Sequence, residues 1–308
     1  MKDFFERLNA LGKPRRTDII EKDFHLHRLL HAMSLDTYFR RNLAFKGGTC
    51  LIKAYLGYYR FSEDVDFTWR DQAIWKGRSL SETRRRCSKE IDEILERFKI
   101  LSRDLRLVFE GDKSDKSEVH ISSGGRMILL WLGYDSEVLG VPSRIKVEVN
   151  LVDKLLYPVV ERVMHSYIER LESKELAFLY EKPWKEYSTT TGFCCYDSRE
   201  IFVEKCRAAL TRKARKLRDM LDIVYMGEKL GYTIAAFKPQ ILDKVRFMLE
   251  TYERYRENLE LPKGPLPEIG GMDEMRLILD EPPTDLTGRI KRADAQLEVI
   301  RRRLLPDG

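Results

Sequence analysis

Apolar positions recur along this chain with two different periods. Between residues 18 and 39, Ile19, Ile20, Phe24, Leu26, Leu29, Leu30 and Met33 form a broad apolar stripe, which predicts an amphipathic helix. LAFK (43–46) is a short strand candidate, interrupted by Gly47 and Gly48. Thr49 then suits a helix N-cap ahead of CLIKAYL, and Gly57 ends that helix. DVDFT (64–68) alternates with period two, as a half-buried strand does. A charged helix is predicted around 80–98, followed by strand-like runs at 104–109, 118–121, 126–132 and 144–151. The turn SSGG (122–125) joins two of these as a hairpin.

Strands and helices mix up to about residue 155, and from about 197 the pattern turns helical. Helices are predicted over 197–230, 234–257 and 287–304, with the proline-rich stretches 262–267 and 281–283 as linkers. No internal repeat is visible. The fold class expected is α+β. A domain with a mixed sheet and flanking helices spans 1–190, and a helical C-terminal domain spans 191–308, the boundary following the polar EYSTTTG.

Composition changes this picture little. An apolar fraction of 43% in 308 residues suffices for packed cores. The net charge of +6 suits either a polyanionic partner or a plainly well-solvated surface. Cys50, Cys87, Cys194, Cys195 and Cys206 are odd in number, two are adjacent, and no CxxC occurs. That argues against a disulfide framework or a cysteine zinc site and points to a reducing, cytoplasmic setting. No apolar run reaches a membrane-spanning length, and the N-terminus has no secretory h-region, so no membrane association is expected.

The chemistry concentrates in FKGGTCLIKAYLGYYRFSEDVDF (45–67). Gly47 and Gly48 let a phosphate approach the backbone, and free N–H groups at a helix start favour an anion. The chain then returns as a strand carrying Asp64 and Asp66. Residues two apart on a strand share a side, about 7 Å apart at the backbone, so both carboxylates project together. Paired carboxylates beside a phosphate cradle suit Mg²⁺ and phosphoryl or nucleotidyl transfer. Taken singly, an Asp-x-Asp is usually only solvated and a Gly-Gly usually a turn; the order and spacing together carry the reading.

These residues resemble the Gly-Gly-Ser/Thr … Asp-x-Asp signature of the polymerase-beta-like nucleotidyltransferase superfamily. More narrowly, KGGT…YRFSEDVDF resembles the AbiEii/AbiGii toxin family, through Lys46, Gly47, Gly48, Thr49, Arg60, Phe61, Ser62, Asp64, Asp66 and Phe67. The resemblance implies a polymerase-beta-like sheet and a third carboxylate on a later strand. RIKVEVNL (144–151) offers Glu148, with Val147 and Val149 facing the other way; an ordinary exposed strand face is the alternative, since Lys146 and Asn150 share its side. FVEKCRAALTRKARKLRDMLDIVYM (202–226) resembles the family's motif Glu-Lys-x-x-Ala-Leu … Arg … Arg-Asp-x-x-Asp. On one unbroken helix, Lys205, Arg212 and Asp219 would share a stripe.

By this resemblance Asp64, Asp66 and Glu148 hold two Mg²⁺ ions, while Gly47, Gly48, Thr49 and Ser62 meet the nucleotide. Lys205 and Arg212 add positive charge to the triphosphate and Asp219 orients Lys205, the base or the acceptor, in a cleft between the domains. The resemblance further implies an NTP donor, the 3′ end of tRNA as acceptor in some members, and an antitoxin partner in phage defence. Transfer onto a protein and a non-catalytic RNA- or partner-binding relic are the alternatives. The resemblance covers roughly residues 40 to 226. His25, His27 and His31 lack a third zinc ligand, Arg84–Arg86 suits a solvated helix face or RNA phosphates, and Tyr55, Tyr58 and Tyr59 suit either a base or the core.

Overall fold

The computed structural model describes residues 1–12, 16–261, 263–264 and 277–305. It divides into two compact units: Met1–Asp153 with Val159–Tyr196, and Lys154–Pro158 with Asp197–Gly308. Among the described residues, no helix is long and apolar enough to cross a membrane.

The first unit is built on a mixed sheet whose described strands are β1 (Leu43–Lys46), β2 (Asp64–Trp69), β3 (Val119–Ser122), β4 (Met127–Asp135), β5 (Pro142–Asn150), β6 (Val160–Met164) and β7 (Thr191–Cys195). Their order is β3-β4-β5-β2-β1-β7-β6. The contacts β2–β5 and β1–β7 are parallel, and the others antiparallel. The expected α+β class is therefore present. Central β1 is buried along its whole length, and β2 and β5 bury Val65, Phe67, Ile145, Val147 and Val149. Phe45, Phe67 and Phe193 stack across three neighbouring strands at centroid distances of 5.4 and 5.6 Å. The helix Thr17–Leu35 packs against β5 and β7 with Leu26, Leu29, Leu30 and Met33 fully buried, which is the stripe its periodicity predicts.

Several expectations need correction. The run 104–109 is no strand: the helix Leu80–Leu105 continues through it and stops at left-handed Arg106, leaving one isolated bridge from Val108 to Gly133. Thr49 does not cap a helix. The short turn of helix is Gly47–Leu51, its N-cap position is Lys46, and a π-helical turn, Ile52–Leu56, follows. Strands β6 and β7 carry no period-two signal, and β7 keeps the first unit's chain running past residue 190.

The three histidines are structural. His27 Nε2 lies 2.8 Å from the Thr189 carbonyl, and His31 Nδ1 lies 3.0 Å from Thr191 Oγ1. Tyr58 and Tyr59 are core residues, and the Tyr55 hydroxyl donates to the Tyr196 carbonyl at 2.5 Å. All five cysteines are buried and unbridged.

The second unit is helical: Ser198–Thr211, Leu217–Leu230, Lys238–Thr251, Glu253–Glu260 and Leu286–Arg302 among the described residues. Lys154–Pro158 joins it through Glu200. That buried carboxylate accepts from the Leu156 and Tyr157 amides at 2.7 and 2.9 Å and pairs with buried Lys244 at 2.9 Å. The helix expected over 197–230 is broken at residues 212–216, and the one expected over 234–257 at Tyr252. Within the linker expected at 262–267, residues 262 and 265–267 lie outside the described residues.

Candidate active site

Register assembles the first constellation. β2 and β5 run parallel with Asp66 opposite Glu148 and Asp64 opposite Lys146. β1 runs antiparallel to β2 with Lys46 opposite Asp66. Directly paired residues point to the same side of a sheet. Lys46, Asp66 and Glu148 therefore form one row across three strands, and Asp64 and Lys146 form the next. The other side of the same strands is the apolar core described above.

The charges within these rows are unbalanced. The Lys146 ammonium stands 3.8 Å from Asp64 and 3.8 Å from Glu148. Lys46 turns to Asp153, 3.3 Å away, whose Oδ2 also accepts from the Tyr196 hydroxyl at 2.7 Å. Burial, then repulsion from Glu148 and Asp64, pushes the Asp66 carboxyl up to about 6, against the pull of Lys146 and Lys46. Among the described residues, no group of three or more His, Cys, Asp or Glu side chains is arranged to hold a metal ion.

The glycines are explained by close approach. Gly47 has φ +80°, and a Cβ there would meet Asp66 Oδ2 at 2.2 Å. A Cβ on Gly48 would stand 2.7 Å from the Arg60 guanidinium and 3.2 Å from Ser62 Oγ. Bare backbone is thus needed where the turn passes Asp66, Arg60 and Ser62. The Thr49 hydroxyl donates to the Asp64 carbonyl, fastening the turn to the start of β2. Gly47, Gly48, Thr49, Ser62, Asp64, Asp66 and Glu148 are accordingly gathered in one part of the first unit.

The second constellation lies within the helical unit. Lys205, Arg212 and Asp219 do not share a stripe of one helix, because the helix ends at Thr211 and a new one begins at Leu217. Packing of the two helices brings the residues together instead. Lys205 Nζ donates to Asp219 at 3.2 Å and pairs with Asp222 at 2.7 Å, and Arg212 pairs with the second Asp219 oxygen. Both aspartates are buried. Burial alone would push the Asp219 carboxyl up; Lys205 and Arg212 outweigh it and hold the carboxyl below its usual range. Asp222, the last residue of the 202–226 motif, is as much a partner of Lys205 as Asp219 is. Lys146 was read from sequence only as a neighbour of Glu148, since its contact with Asp64 depends on which strands pair.

Comparison with known families matches residues 28–299 to the model described as "Nucleotidyl transferase AbiEii toxin, Type IV TA system". The similarity thus extends well beyond residues 40 to 226, into the C-terminal helices. Two Helicobacter pylori crystal structures are similar. JHP933 has a TM-score of 0.42 at 13% identity, covering 93% of each chain. A candidate nucleotidyltransferase has a TM-score of 0.41 at 13% identity, covering 91% of this chain and 93% of the other. Comparison with curated proteins gives no match.

Proposed function

The chain belongs to the AbiEii family of nucleotidyl transferase toxins, and from that premise we propose that it moves a nucleoside monophosphate from an NTP onto the 3′ end of a tRNA, using Mg²⁺. Membership makes it a nucleotidyltransferase of a type IV toxin–antitoxin family, which implies a nucleotide substrate and an antitoxin partner. The acceptor, the metal, a cytoplasmic site of action and a part in phage defence are our reading.

The observation that carries it is the register of β2 on β5, which sets Asp66 beside Glu148 with Asp64 two residues along the same side. The donor set fits a hard divalent cation: three carboxylates share one adjacent ammonium, and Asp66 is held at about 6 by its neighbours' repulsion. Bringing the three onto shared ions requires side-chain rotation and no change of strand register. Bound by Asp64, Asp66 and Glu148, two Mg²⁺ ions would supply charge neutralisation at the phosphates and a lowered pKa for the attacking hydroxyl.

The protein's own groups provide the positioning. Gly47 lets the turn lie against Asp66, and Thr49 fixes the carbonyl of Asp64, so the carboxylates hold their places. The backbone of Gly47 and Gly48, with Ser62, offers uncharged donors for a triphosphate. Lys205, Arg212 and Asp219 are required for transfer, with Lys205 kept protonated by Asp219 and Asp222. Capping the 3′ end of tRNA would block its charging with amino acid, which suits a toxin.

The test mixes the chain with each of four α-labelled NTPs and total tRNA, with Mg²⁺ or EDTA. We expect label on RNA from one preferred NTP, only with metal, and none from the Asp64→Ala, Asp66→Ala double variant. Label on protein would make a polypeptide the acceptor. RNA binding in EDTA with no transfer under any condition would make the chain a non-catalytic member of the fold.

A further inference from the structure

The cation nearest the carboxylates is part of the chain. Lys146 lies on β5, two residues before Glu148 and directly opposite Asp64. Its ammonium is 3.8 Å from a carboxylate oxygen of each. That separation gives ion pairing without a hydrogen bond, so no directional bond holds the ammonium there. Roughly a third of the Lys146 side chain is exposed, against about a quarter for each partner, which leaves the ammonium room to withdraw. Lys46, the other lysine on this side of the strands, pairs with Asp153.

We infer that the Lys146 ammonium is a resident counter-cation that competes with a divalent ion for Asp64 and Glu148, so that the nucleotide-free chain binds metal weakly. This rests on the assignment of Asp64, Asp66 and Glu148 as the metal-binding carboxylates. Lys146 and a divalent cation seek the same two carboxylates, and a +2 ion beside the +1 ammonium is repelled by it. An incoming triphosphate gives the ammonium a second anion to turn to and supplies the metal with phosphate oxygens. Metal and nucleotide then enter together, and the empty site holds its carboxylates apart from stray divalent ions. Lys146 on this account is a positioning residue and touches no reacting atom before nucleotide arrives.

The test titrates Mn²⁺ into the full chain without nucleotide, following free Mn²⁺ by electron paramagnetic resonance. Wild type, Lys146→Met, Lys146→Arg and Asp66→Asn are compared, each first shown to unfold at the wild-type midpoint or to be folded at the titration temperature. Lys146→Met should bind Mn²⁺ at least about tenfold more tightly, the order expected for losing one charge a few ångströms from a divalent ion. Lys146→Arg should behave as wild type. A non-hydrolysable NTP analogue should tighten Mn²⁺ binding more in wild type than in Lys146→Met. Equal affinity in wild type and Lys146→Met, with binding still lost in Asp66→Asn, overturns the inference and leaves the metal site standing. Weaker binding in Lys146→Met overturns it in the same way. No carboxylate-dependent Mn²⁺ binding in any variant, with or without the analogue, overturns both.

Discussion

Replacing Gly47 by alanine separates backbone strain from damage to the carboxylates. Two penalties are built into the position. The left-handed backbone, φ +80°, costs a residue with a Cβ about 1–2 kcal/mol. The Cβ would also lie 2.2 Å from Asp66 Oδ2, so the carboxylate or the turn must shift, at an overpacking cost of about 1–3 kcal/mol. Gly140 makes a control in the same unit: its φ is +69°, it is exposed, and nothing lies within 4 Å of a Cβ there. Gly140→Ala should lose about 1–2 kcal/mol by urea unfolding and keep full transfer activity. Gly47→Ala should lose about 2–5 kcal/mol and transfer about a hundredfold more slowly, since displacing a catalytic group by about 1 Å has that effect. The assay is label transfer from NTP under conditions where both variants are folded. Equal stability losses in the two variants, with Gly47→Ala transferring at the wild-type rate, would refute the account of the turn.

Three further outcomes are expected. Burial, then Lys53, holds His27 down at about 4 against the pull of Asp23, so native His27 is neutral while the unfolded imidazole titrates near its usual 6.5. The unfolded state binds the extra proton; stability from this group is complete above about pH 6.5 and falls as pH drops toward 4, by up to about 3 kcal/mol. Urea unfolding of wild type and His27→Gln between pH 7 and 4.5 should show the shallower loss in the variant. Lys244→Met strands the buried Glu200 carboxylate without its cation and should lower unfolding free energy by about 3–5 kcal/mol in chemical denaturation, whereas a loss under 1 kcal/mol would mean the amides of Leu156 and Tyr157 suffice. Thr49→Val removes the donor to the Asp64 carbonyl and should cost about 1 kcal/mol of stability, and steady-state kinetics should show a fall in kcat with KM for NTP within twofold.

Much of the first unit is legible in the chain because its strands are half-buried and alternate. Val65 and Phe67 go to the core while Asp64 and Asp66 do not, and β5 repeats the pattern around Glu148. What local pattern cannot supply is pairing. Nothing in RIKVEVNL states that it lies parallel to DVDFTW with Glu148 opposite Asp66, so the contacts of Lys146 stay hidden until the sheet is assembled. Strand β7, TGFCC, has neither alternation nor β-branched side chains beyond Thr191 and owes its form to its neighbours β1 and β6. The break between Thr211 and Leu217 is equally silent: RKARK holds good helix formers with no glycine or proline, and the chain turns there because Lys205 and Arg212 meet Asp219 across two packed helices. Sequence spacing brought these three residues together for the wrong geometric reason.

The central claim is that β2 and β5 jointly present one catalytic carboxylate group. Its most direct test is the single-turnover rate of label transfer by Glu148→Gln, a substitution that keeps shape and removes the charge. The account predicts a rate at least about a thousandfold below wild type, the order seen when an essential electrostatic group is removed, with the unfolding midpoint unchanged or raised. A rate within threefold of wild type would contradict it, since Asp64 and Asp66 would then act without their partner across the strands.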